Sequence, residues 1–501
     1  MTTPEQHPVI KASNDIYQFT PALHFKPENL EDLKKIILQA KDKKAKVRAH
    51  GTLQSFSDVT GTPDYSVDCQ NLKKILTINP SNLVPGYASD AYVSVESGIQ
   101  LLDLSNQLWD RGKAIPSISG YNGLSLAGAV STASHGSNIG IGNVASMVVA
   151  VVLVTETGKT LLIEPINGPY KTINEGYREQ GIDEVIRDDR WFYSVLVSMG
   201  CMGLIHSMTL RVRDAFYAHE KRSVHRWKDI KAQLASDKFF LPQDQRDWNH
   251  PYHEIWVNPH VTVVNGVSDH TCLLTERSIL TGTHNPTTPQ RARPMLFDML
   301  NWIQGTIPAF TRIYQNIWPQ NTPNVMDGVM HNMIDDTYID RGYKTLSGHD
   351  KMGGMALEIS LPMHKDNRYL EAIEKIFELA ETEAKLASRY MSILSMRFVK
   401  SSKAYMAMQY SDDGSPTCMI EIPTVVGVTG AIDLFYKIEK LVYAYGGRPH
   451  WGLHFVGWTN IGHMIPQCYP KYNEWLGVFK QLNQTGMFGS PFTDRVGITT
   501  P

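Results

Sequence analysis

The chain has 501 residues, with Lys+Arg 48 against Asp+Glu 50 and a formal net charge of −2. At about 100–200 residues per domain, this length predicts two or three domains and a large core. Hydrophobic residues make up 42% and charged residues 20%, which excludes a disordered, collagenous or coiled-coil chain. Because no basic excess creates a positive field for phosphate or anionic lipid, we do not expect nucleic acid as a partner.

The cysteines and the N-terminal residues indicate the cellular compartment of the protein. The five cysteines lie far apart without a CxxC pair, which indicates a reduced compartment and no thiolate metal site. The first residues have no positive segment followed by an apolar one, and the apolar run 145–154 is too short to span a bilayer. We therefore expect a cytoplasmic protein without a membrane span, and no bound metal.

Elements in the first third alternate between helix and strand. Apolar residues at helical spacing predict a helix over 30–40, and a strand over 46–49 follows a lysine-rich turn. The pattern repeats as a strand over 93–97 and a helix over 101–111. This alternation is typical of an α/β or α+β architecture.

Further along, a β-branched run predicts a buried strand over 146–155, and glycines lead into a second strand that ends near Arg213. The stretch 216–345 is richer in Trp, His, Asn and Pro, so we expect a less regular segment and a domain boundary near 215. The last part predicts strands over 353–362, 393–400 and 417–426, with helices over 369–387 and 429–445.

The densest glycine and small-residue stretch, 123–142, precedes the first buried strand, and its part 128–142 offers clustered backbone amides. Glycine allows the main chain to approach a ligand closely, and successive backbone amides can bind a pyrophosphate. Two alternatives stay open. One is a purely structural loop. The other is a Rossmann fingerprint, since 140–145 matches GxGxxA, although that motif joins a strand to a helix and here a strand-like run follows.

Several segments together resemble a known family. Residues 47–57 (VRAHGTLQSFS), the loop 120–142 and residues 198–205 (SMGCMGLI) look like the flavin-contacting segments of the vanillyl-alcohol-oxidase (PCMH-type) FAD fold. Residues 394–400 (LSMRFVK) and 447–452 (GRPHWG), with the segment 469–488, resemble its sugar-1,4-lactone oxidase and alditol oxidase branch. These matches follow in the right order over nearly the whole chain.

The resemblance implies an α+β protein with two domains. Residues 1–215 would form the FAD-binding domain, 216–446 a substrate-binding cap on an antiparallel sheet, and 447–501 a C-terminal segment that returns to the FAD site. It also implies which residues contact FAD: Arg48, His50, Gly51, Thr52, Leu53, Gln54, Ser55, Ser119, Gly128, Ser131, Thr132, Ser134, His135, Gly136, Ser137, Gly142, Gly203, Ile205 and His450.

Gln54 is the first departure from the family pattern. Members with covalently bound flavin carry a histidine where this chain has Gln54, and an amide cannot form that bond. We therefore expect non-covalent FAD, with His50 as an alternative attachment point.

Arg397 belongs to the second departure. The family's Glu-x-Arg pair appears here as Ser395-Met-Arg397, so the arginine remains and the carboxylate is missing. Arg397 can stabilise negative charge as a fixed cation, with a structural ion pair as its alternative role. Ser395 cannot accept a proton near neutral pH, so another base is required.

The third departure replaces the family's lysine by Leu453 in His450-Trp-Gly-Leu453, which favours a less polar substrate. Glu358 and Glu421 lie in strand-like contexts and, with Arg397 and His450, are the candidate catalytic residues. His450 and His454 could form a metal pair on a helix, but the HExxH context is absent.

The resemblance implies an FAD-dependent oxidoreductase that oxidises an alcohol carbon. A base takes the hydroxyl proton while hydride moves to flavin N5, and O2 or another acceptor then reoxidises the flavin. It favours an oxidase over a dehydrogenase. The substrate would be a small molecule: a sugar lactone, a polyol or a bulkier, even sterol-like, alcohol. Amine oxidation and a catalytically degenerate flavin-binding protein remain alternatives.

Overall fold

The computed structural model describes residues 3–171, 180–236, 239–240, 252–264, 266–287, 315–334, 338–348, 354–455 and 465–498. Within these ranges, helices and mostly antiparallel sheets combine, which confirms the α+β expectation. None of the helices described is both long and apolar enough to cross a bilayer.

The N-terminal half contains two larger sheets. Its strands are β1 (Glu5–Gln6), β2 (Ile10–Lys11), β3 (Gln18–Phe19), β4 (Leu23–Phe25), β5 (Val47–His50), β6 (Tyr65–Asp68), β7 (Ile75–Leu76), β8 (Tyr92–Glu96), β9 (Lys113–Ala114), β10 (Val148–Val154), β11 (Thr160–Glu164), β12 (Glu184–Arg187), β13 (Leu204–Arg211) and β14 (Arg213–Asp214). The first sheet has the order β1-β4-β6-β5, and the second has the order β12-β11-β10-β13-β8-β7.

Among the described residues of this half, the helices are α1 (Leu30–Lys43), α2 (Leu101–Trp109), α3 (Leu126–Ser131) and α4 (Asp189–Leu196). α1 begins where the Asn29 side chain accepts a hydrogen bond from the Asp32 amide, and it ends at Lys44 in the left-handed conformation. Its buried face, including Leu33 and Ile36, packs into the core of the first sheet. The predicted helix over 30–40 and the strand that follows it are therefore confirmed.

One eight-stranded sheet dominates the remainder. Its strands are β15 (Tyr217–Arg226), β16 (Tyr252–Val264), β17 (Val267–Leu280), β18 (Tyr338–Arg341), β19 (Gly354–Pro362), β20 (Leu394–Val399), β21 (Thr417–Val425) and β22 (Arg448–Pro449). Their order is β18-β15-β17-β16-β20-β21-β19-β22, with antiparallel neighbours throughout.

The helices of this part are α5 (Trp227–Leu234), α6 (Thr322–Asn332), α7 (Gly342–Leu346), α8 (Arg368–Ala387), α9 (Ala431–Tyr443), α10 (Ile465–Cys468), α11 (Tyr472–Leu482) and α12 (Pro491–Arg495). The predicted strands and helices between 353 and 445 are confirmed within a few residues. For the described part of 216–345, the expectation of a less regular segment is wrong, because β16 and β17 form a hairpin with strands of 13 and 14 residues. Residues 241–251 and 288–314 of this stretch lie outside the described ranges. Charged side chains on one face of this hairpin hide the usual apolar alternation.

The C-terminal segment returns to the N-terminal half. The Val47 amide donates to the Met487 carbonyl at 2.7 Å, and the Trp475 indole donates to the Val197 carbonyl at 3.2 Å. Trp475, Val47 and Val197 are fully buried at this junction. The domain limits at 215 and 447 remain predictions, although strands on either side of 215 belong to different sheets.

Candidate active site

A cavity of about 1190 Å³ lies between the loops of the N-terminal half and one face of the eight-stranded sheet. Pockets for drug-sized ligands are about 300–1,000 Å³, so this cavity has room for a large cofactor and a substrate together. Its walls come from segments that are far apart in sequence.

Nearly all the residues proposed from the sequence line this cavity. The lining includes Arg48, His50, Gly51, Thr52, Leu53, Gln54, Ser55, Ser119, Gly128, Ser131, Thr132, Ser134, His135, Gly136, Ser137, Gly203, Ile205, Glu358, Arg397, Glu421 and His450. Gly142 is not among the lining residues. A Cβ atom there would lie 2.2 Å from Ser146 Oγ, so this glycine serves the tight turn before β10.

Two loops meet closely at the end of the cavity assigned to FAD. A Cβ on Gly51 would lie 2.0 Å from Ser125 Oγ, and one on Gly136 would lie 2.5 Å from the Ile118 carbonyl. Leu53, which also lines the cavity, has a left-handed φ of 54°. At Gly51 and Gly136 the neighbouring loop leaves no room for a side chain, so main-chain groups can contact a ligand there.

Arg48 places a positive charge beside these loops. Arg48 is only 1% exposed. Its guanidinium group donates to the carbonyls of Val59, Met199 (2.6 Å) and Phe488 (3.3 Å), so these hydrogen-bond partners are uncharged. Burial lowers its pKa. Arg48 Nε and His50 Nε2 are buried without a hydrogen-bond partner among the described residues. Unsatisfied polar atoms next to a cavity fit a bound polar group such as the pyrophosphate of FAD.

A row of charged residues crosses the sheet on the face toward the cavity. Arg277 contacts Glu220 at 2.7 Å and Glu254 at 3.2 Å, and Arg397 contacts Glu254 at 3.0 Å and Glu421 at 2.6 Å. The row begins at Arg222, whose Nε lies 3.2 Å from Glu220. The ion pair proposed as an alternative for Arg397 is thus present, at the cavity wall.

Glu254 supplies the carboxylate that position 395 lacks. In the antiparallel register Glu254 pairs with Arg397, and Ser395 Oγ donates to Glu254 Oε1 at 3.1 Å. The Trp256 indole donates to the same oxygen at 3.1 Å. Burial raises the pKa of Glu254, but Arg397 and Arg277 outweigh it and hold that pKa well below its usual range.

Glu421 is the more open carboxylate. Its side chain is 25% exposed, and its Oε2 accepts from Arg397 Nη1. It pairs in register with Ser395 on one side and with Glu358 on the other, so all three point to the same face of the sheet. A carboxylate that faces the cavity beside a fixed cation can accept a proton from a bound hydroxyl group.

The third group of charges consists of Glu358 and two histidines. Glu358 Oε1 lies 3.1 Å from His135 Nε2, and its Oε2 lies 3.9 Å from His450 Nε2. Burial lowers the pKa of His450 to about 4, although Glu358 opposes the shift, so His450 is neutral near pH 7. His454 follows in a non-helical turn and is not among the residues that line the cavity, so the metal pair considered with His450 does not form on a helix.

Outside the charged row, part of the cavity wall is apolar, although Lys344 and Gln315 also line the cavity. Trp256 lies on the strand that carries Glu254, Ile393 immediately precedes the strand that carries Ser395, and both line the cavity together with Leu453. Helix α6 contributes Val325, Met326, Val329 and Met333, the last just past its end.

Sequence reasoning missed Glu254, Arg277 and helix α6. The available signal was the segment 252–257, where a glutamate interrupts a β-like run of aromatic and β-branched residues. Its partner Arg397 lies 143 residues later, so only the fold shows the pair.

Comparisons with known proteins agree with this architecture. Residues 208–496 match the family described as D-arabinono-1,4-lactone oxidase, and residues 21–164 match the FAD binding domain family. The L-gulono-1,4-lactone dehydrogenase of Mycobacterium tuberculosis is 23% identical over 95% of this chain and 96% of its own. The L-gulonolactone oxidase of Bos taurus is 21% identical over 96% of both chains. A solvent-stable cholesterol oxidase structure superposes with a TM-score of 0.70 at 14% identity, over 99% of this chain and 100% of its own, which shows a shared fold.

Exchanging the carboxylate between strands tests the role of Glu254. Glu254→Ser leaves Arg397 and Arg277 each short of a partner, which we expect to destabilise the protein by roughly 3–5 kcal/mol. The double variant Glu254→Ser/Ser395→Glu returns a carboxylate to the same place and should recover most of this loss in chemical denaturation. Ser395→Ala is the control, because it removes one hydroxyl donor only. A double variant no more stable than Glu254→Ser would contradict the assignment.

Proposed function

Since the chain belongs to the D-arabinono-1,4-lactone oxidase family of FAD-dependent oxidoreductases acting on CH–OH donors, we propose that it oxidises a hydroxyl-bearing carbon on a largely apolar substrate. The matches to both family models confirm the family resemblance seen in the sequence. The single observation that supports this proposal is the position of the Arg397–Glu421 pair next to an apolar wall.

The residues of the cofactor end fit FAD. The loops 50–55 and 131–137 would hold it with backbone groups, and Arg48 with His50 would face its polar part. When bound, FAD supplies the acceptor for the hydride that leaves the alcohol carbon.

Glu421 is our candidate for the base. Its Oε2 is held by Arg397, and no described residue donates to Oε1, which leaves that atom to accept the hydroxyl proton of a substrate. Arg397 is fixed on its other side by Glu254 and stabilises the negative charge that develops on the substrate oxygen. Glu254 is a poor base, since its low pKa and four donors stabilise the ionised form.

The substrate class follows from the wall beyond this pair. Trp256, Ile393 and Leu453 offer no charge to a polyol, and neither do the residues of α6 that line the cavity. A substrate with its hydroxyl at Arg397 and an apolar body along α6 satisfies both regions. A sugar lactone is the second candidate, favoured by the names of the relatives and by Tyr121, Thr345 and Thr424 in the lining.

We further propose that FAD is bound without a covalent link. Gln54 lines the cavity, where its Nε2 donates to the Thr52 carbonyl at 2.7 Å, and an amide offers no nucleophilic nitrogen to the flavin. Dioxygen is the proposed electron acceptor, with another acceptor as the alternative, and a cytoplasmic location remains a prediction.

Anaerobic reduction of the bound flavin tests the substrate class. We expect cyclic secondary alcohols of increasing carbon number, up to a sterol, to bleach the visible flavin band faster than D-arabinono- or L-gulono-1,4-lactone. The control Leu453→Lys restores the lysine typical of the family and should shift kcat/KM toward the lactones by roughly 10-fold or more. Faster bleaching by lactones in the wild type would establish the second candidate, and no bleaching by any alcohol or amine would indicate a degenerate protein. Readmission of air then measures reactivity with dioxygen.

Removing the proposed base should slow reduction without loss of the cofactor. Glu421→Gln keeps the shape and a hydrogen-bond acceptor for Arg397, and we expect the reduction rate constant to fall by roughly 10²–10⁴-fold. Glu383→Gln is the matched control, because Glu383 is equally an ion-paired glutamate but contacts Lys437 and Arg389 away from the cavity. Unchanged reduction in Glu421→Gln would exclude Glu421 as the base.

Acid precipitation tests the mode of attachment. We expect the yellow colour of the wild type to appear in the supernatant, and that of Gln54→His to remain in the pellet once the imidazole is available. Colour in the wild-type pellet would contradict the proposal, and its loss in His50→Gln would then identify His50 as the attachment residue.

A further inference from the structure

Gln409 is a fully buried amide that lies behind the glycine-rich loop of the cavity. It belongs to the connection between β20 and β21, the strands that carry Arg397 and Glu421. Gln409 and its neighbour Asn143 are both 0% exposed, and neither is among the lining residues. A buried amide is costly unless its donors and its acceptor have partners, so the contacts of Gln409 show what it holds.

The loop that Gln409 contacts turns sharply at Ala133. Helix α3 ends two residues before this position. The amide of Ala133 donates to the Val130 carbonyl at 3.1 Å, and the amide of Ser134 donates to the Ala129 carbonyl at 2.8 Å. This pair of bonds is a Schellman motif, in which the residue at the place of Ala133 is left-handed and usually glycine. Ala133 has a φ of 58°, a conformation that is strained for a residue with a Cβ atom.

This kink directs the following residues toward the cofactor end of the cavity. Residues 134–137 line the cavity, whereas Ala133 itself is fully buried in the main core. With a right-handed residue at position 133 the chain would continue in the direction of α3 and would not turn to the cavity. The left-handed conformation of Ala133 is therefore a condition for the loop to reach the cofactor end.

Gln409 holds the strained residue by its main chain. Its Nε2 donates to the Ala133 carbonyl at 3.2 Å, and its Oε1 accepts from Asn143 Nδ2 at 3.0 Å. A carbonyl can only accept, so it is the NH2 end of the Gln409 amide that faces Ala133. A buried carbonyl without a donor is costly, so this bond favours the left-handed conformation over one that turns the carbonyl away.

A network of hydrogen bonds fixes Gln409 in turn. Asn143 Oδ1 accepts from the Ser146 amide at 3.1 Å and from Ser146 Oγ at 2.8 Å. The Ser402 amide donates to the Gln409 carbonyl at 3.0 Å, and Gln409 Nε2 also lies 3.7 Å from Met419 Sδ. Both polar atoms of the Gln409 side chain are thus satisfied. A satisfied buried network is rigid, so it can hold a strained neighbour in place.

We propose that Gln409 is a positioning residue for the cofactor, which holds Ala133 in the left-handed conformation and so keeps residues 134–137 against FAD. This role rests on the proposed function, in which the loop 131–137 holds FAD. The connection between the two strands of Arg397 and Glu421 then also determines the shape of the cofactor loop, although Gln409 itself does not line the cavity.

Hydrogen exchange of the FAD-loaded protein tests this contact where it acts. Gln409→Met keeps the length of the side chain and removes the donor, so we expect the amides of 132–137 to exchange roughly 5-fold faster or more in peptide mass spectrometry. Gln409→Met/Ala133→Gly should recover most of the protection, because glycine adopts the left-handed conformation without steric cost. Unchanged exchange in Gln409→Met would overturn the proposal, since core packing would then hold the kink. A double variant as fast as Gln409→Met would overturn the role of strain.

The release of FAD separates positioning from general destabilisation. We expect Gln409→Met to release FAD faster on dilution, and Gln409→Met/Ala133→Gly to release it at nearly the wild-type rate. The denaturation midpoint of the double variant should stay low, because Asn143 has lost its acceptor. Asn258→Leu is the matched control, since it removes an equally buried amide that donates to the Pro323 carbonyl at 2.9 Å. It should lower the midpoint and leave FAD release unchanged.

Two results would contradict the positioning role. One is an equal acceleration of FAD release in Asn258→Leu, and the other is faster exchange in Gln409→Met without faster release. If acid precipitation shows a covalent flavin, the visible circular dichroism of that flavin replaces release as the readout. Failure of the proposed base or substrate would appear in the reduction kinetics and would leave hydrogen exchange and FAD release as expected here.

Discussion

The structure depends on the alternation of carboxylate and guanidinium groups across one face of the eight-stranded sheet. Buried charges are costly unless each has a partner. Here Arg277 bridges Glu220 and Glu254, and Arg397 bridges Glu254 and Glu421, so two arginines join glutamates of different strands. A shift of one residue in any register would turn a charge to the opposite face and leave its partners unpaired. The ion pairs therefore specify the register of β16, β20 and β21, and the same registers place the charges at the cavity.

The same face must also meet the glycine-rich loop. The Phe398 amide on β20 donates to Ser137 Oγ at 3.0 Å, and Asn138 forms a bridge with Val399. These contacts bring the loop proposed to hold FAD next to the strand that carries Arg397. The loop proposed to hold FAD and the charged row therefore lie side by side, and a substrate at Arg397 would lie next to the proposed cofactor site.

The sequence predicted what local patterns determine. The strands around Glu358, Arg397 and Glu421 have apolar alternation, and the loops 48–55 and 128–137 have a glycine pattern with a physical purpose, so these residues were found. Glu254 was missed because its strand lies in a stretch whose charged cavity face breaks the alternation, and because its partner is remote in sequence. Gly142 was included because it belongs to the same glycine run, although a turn explains it. The cluster of His135, Glu358 and His450 joins three segments that are distant in sequence, and no local pattern shows that they meet.

In the proposed function, Glu254 and Glu421 have different roles beside Arg397. Glu254 accepts hydrogen bonds from four donors and has a depressed pKa, so it can hold Arg397 in place but is a poor proton acceptor. Glu421, with one oxygen engaged and a quarter of its side chain exposed, keeps the ability to accept a proton. The replacement of lysine by Leu453 acts in the same direction, since it removes a charge that would compete for the substrate oxygen. In the proposed function, Arg397 and Glu421 would orient the substrate hydroxyl group, and the shape of the apolar wall would determine the fit of the remaining substrate.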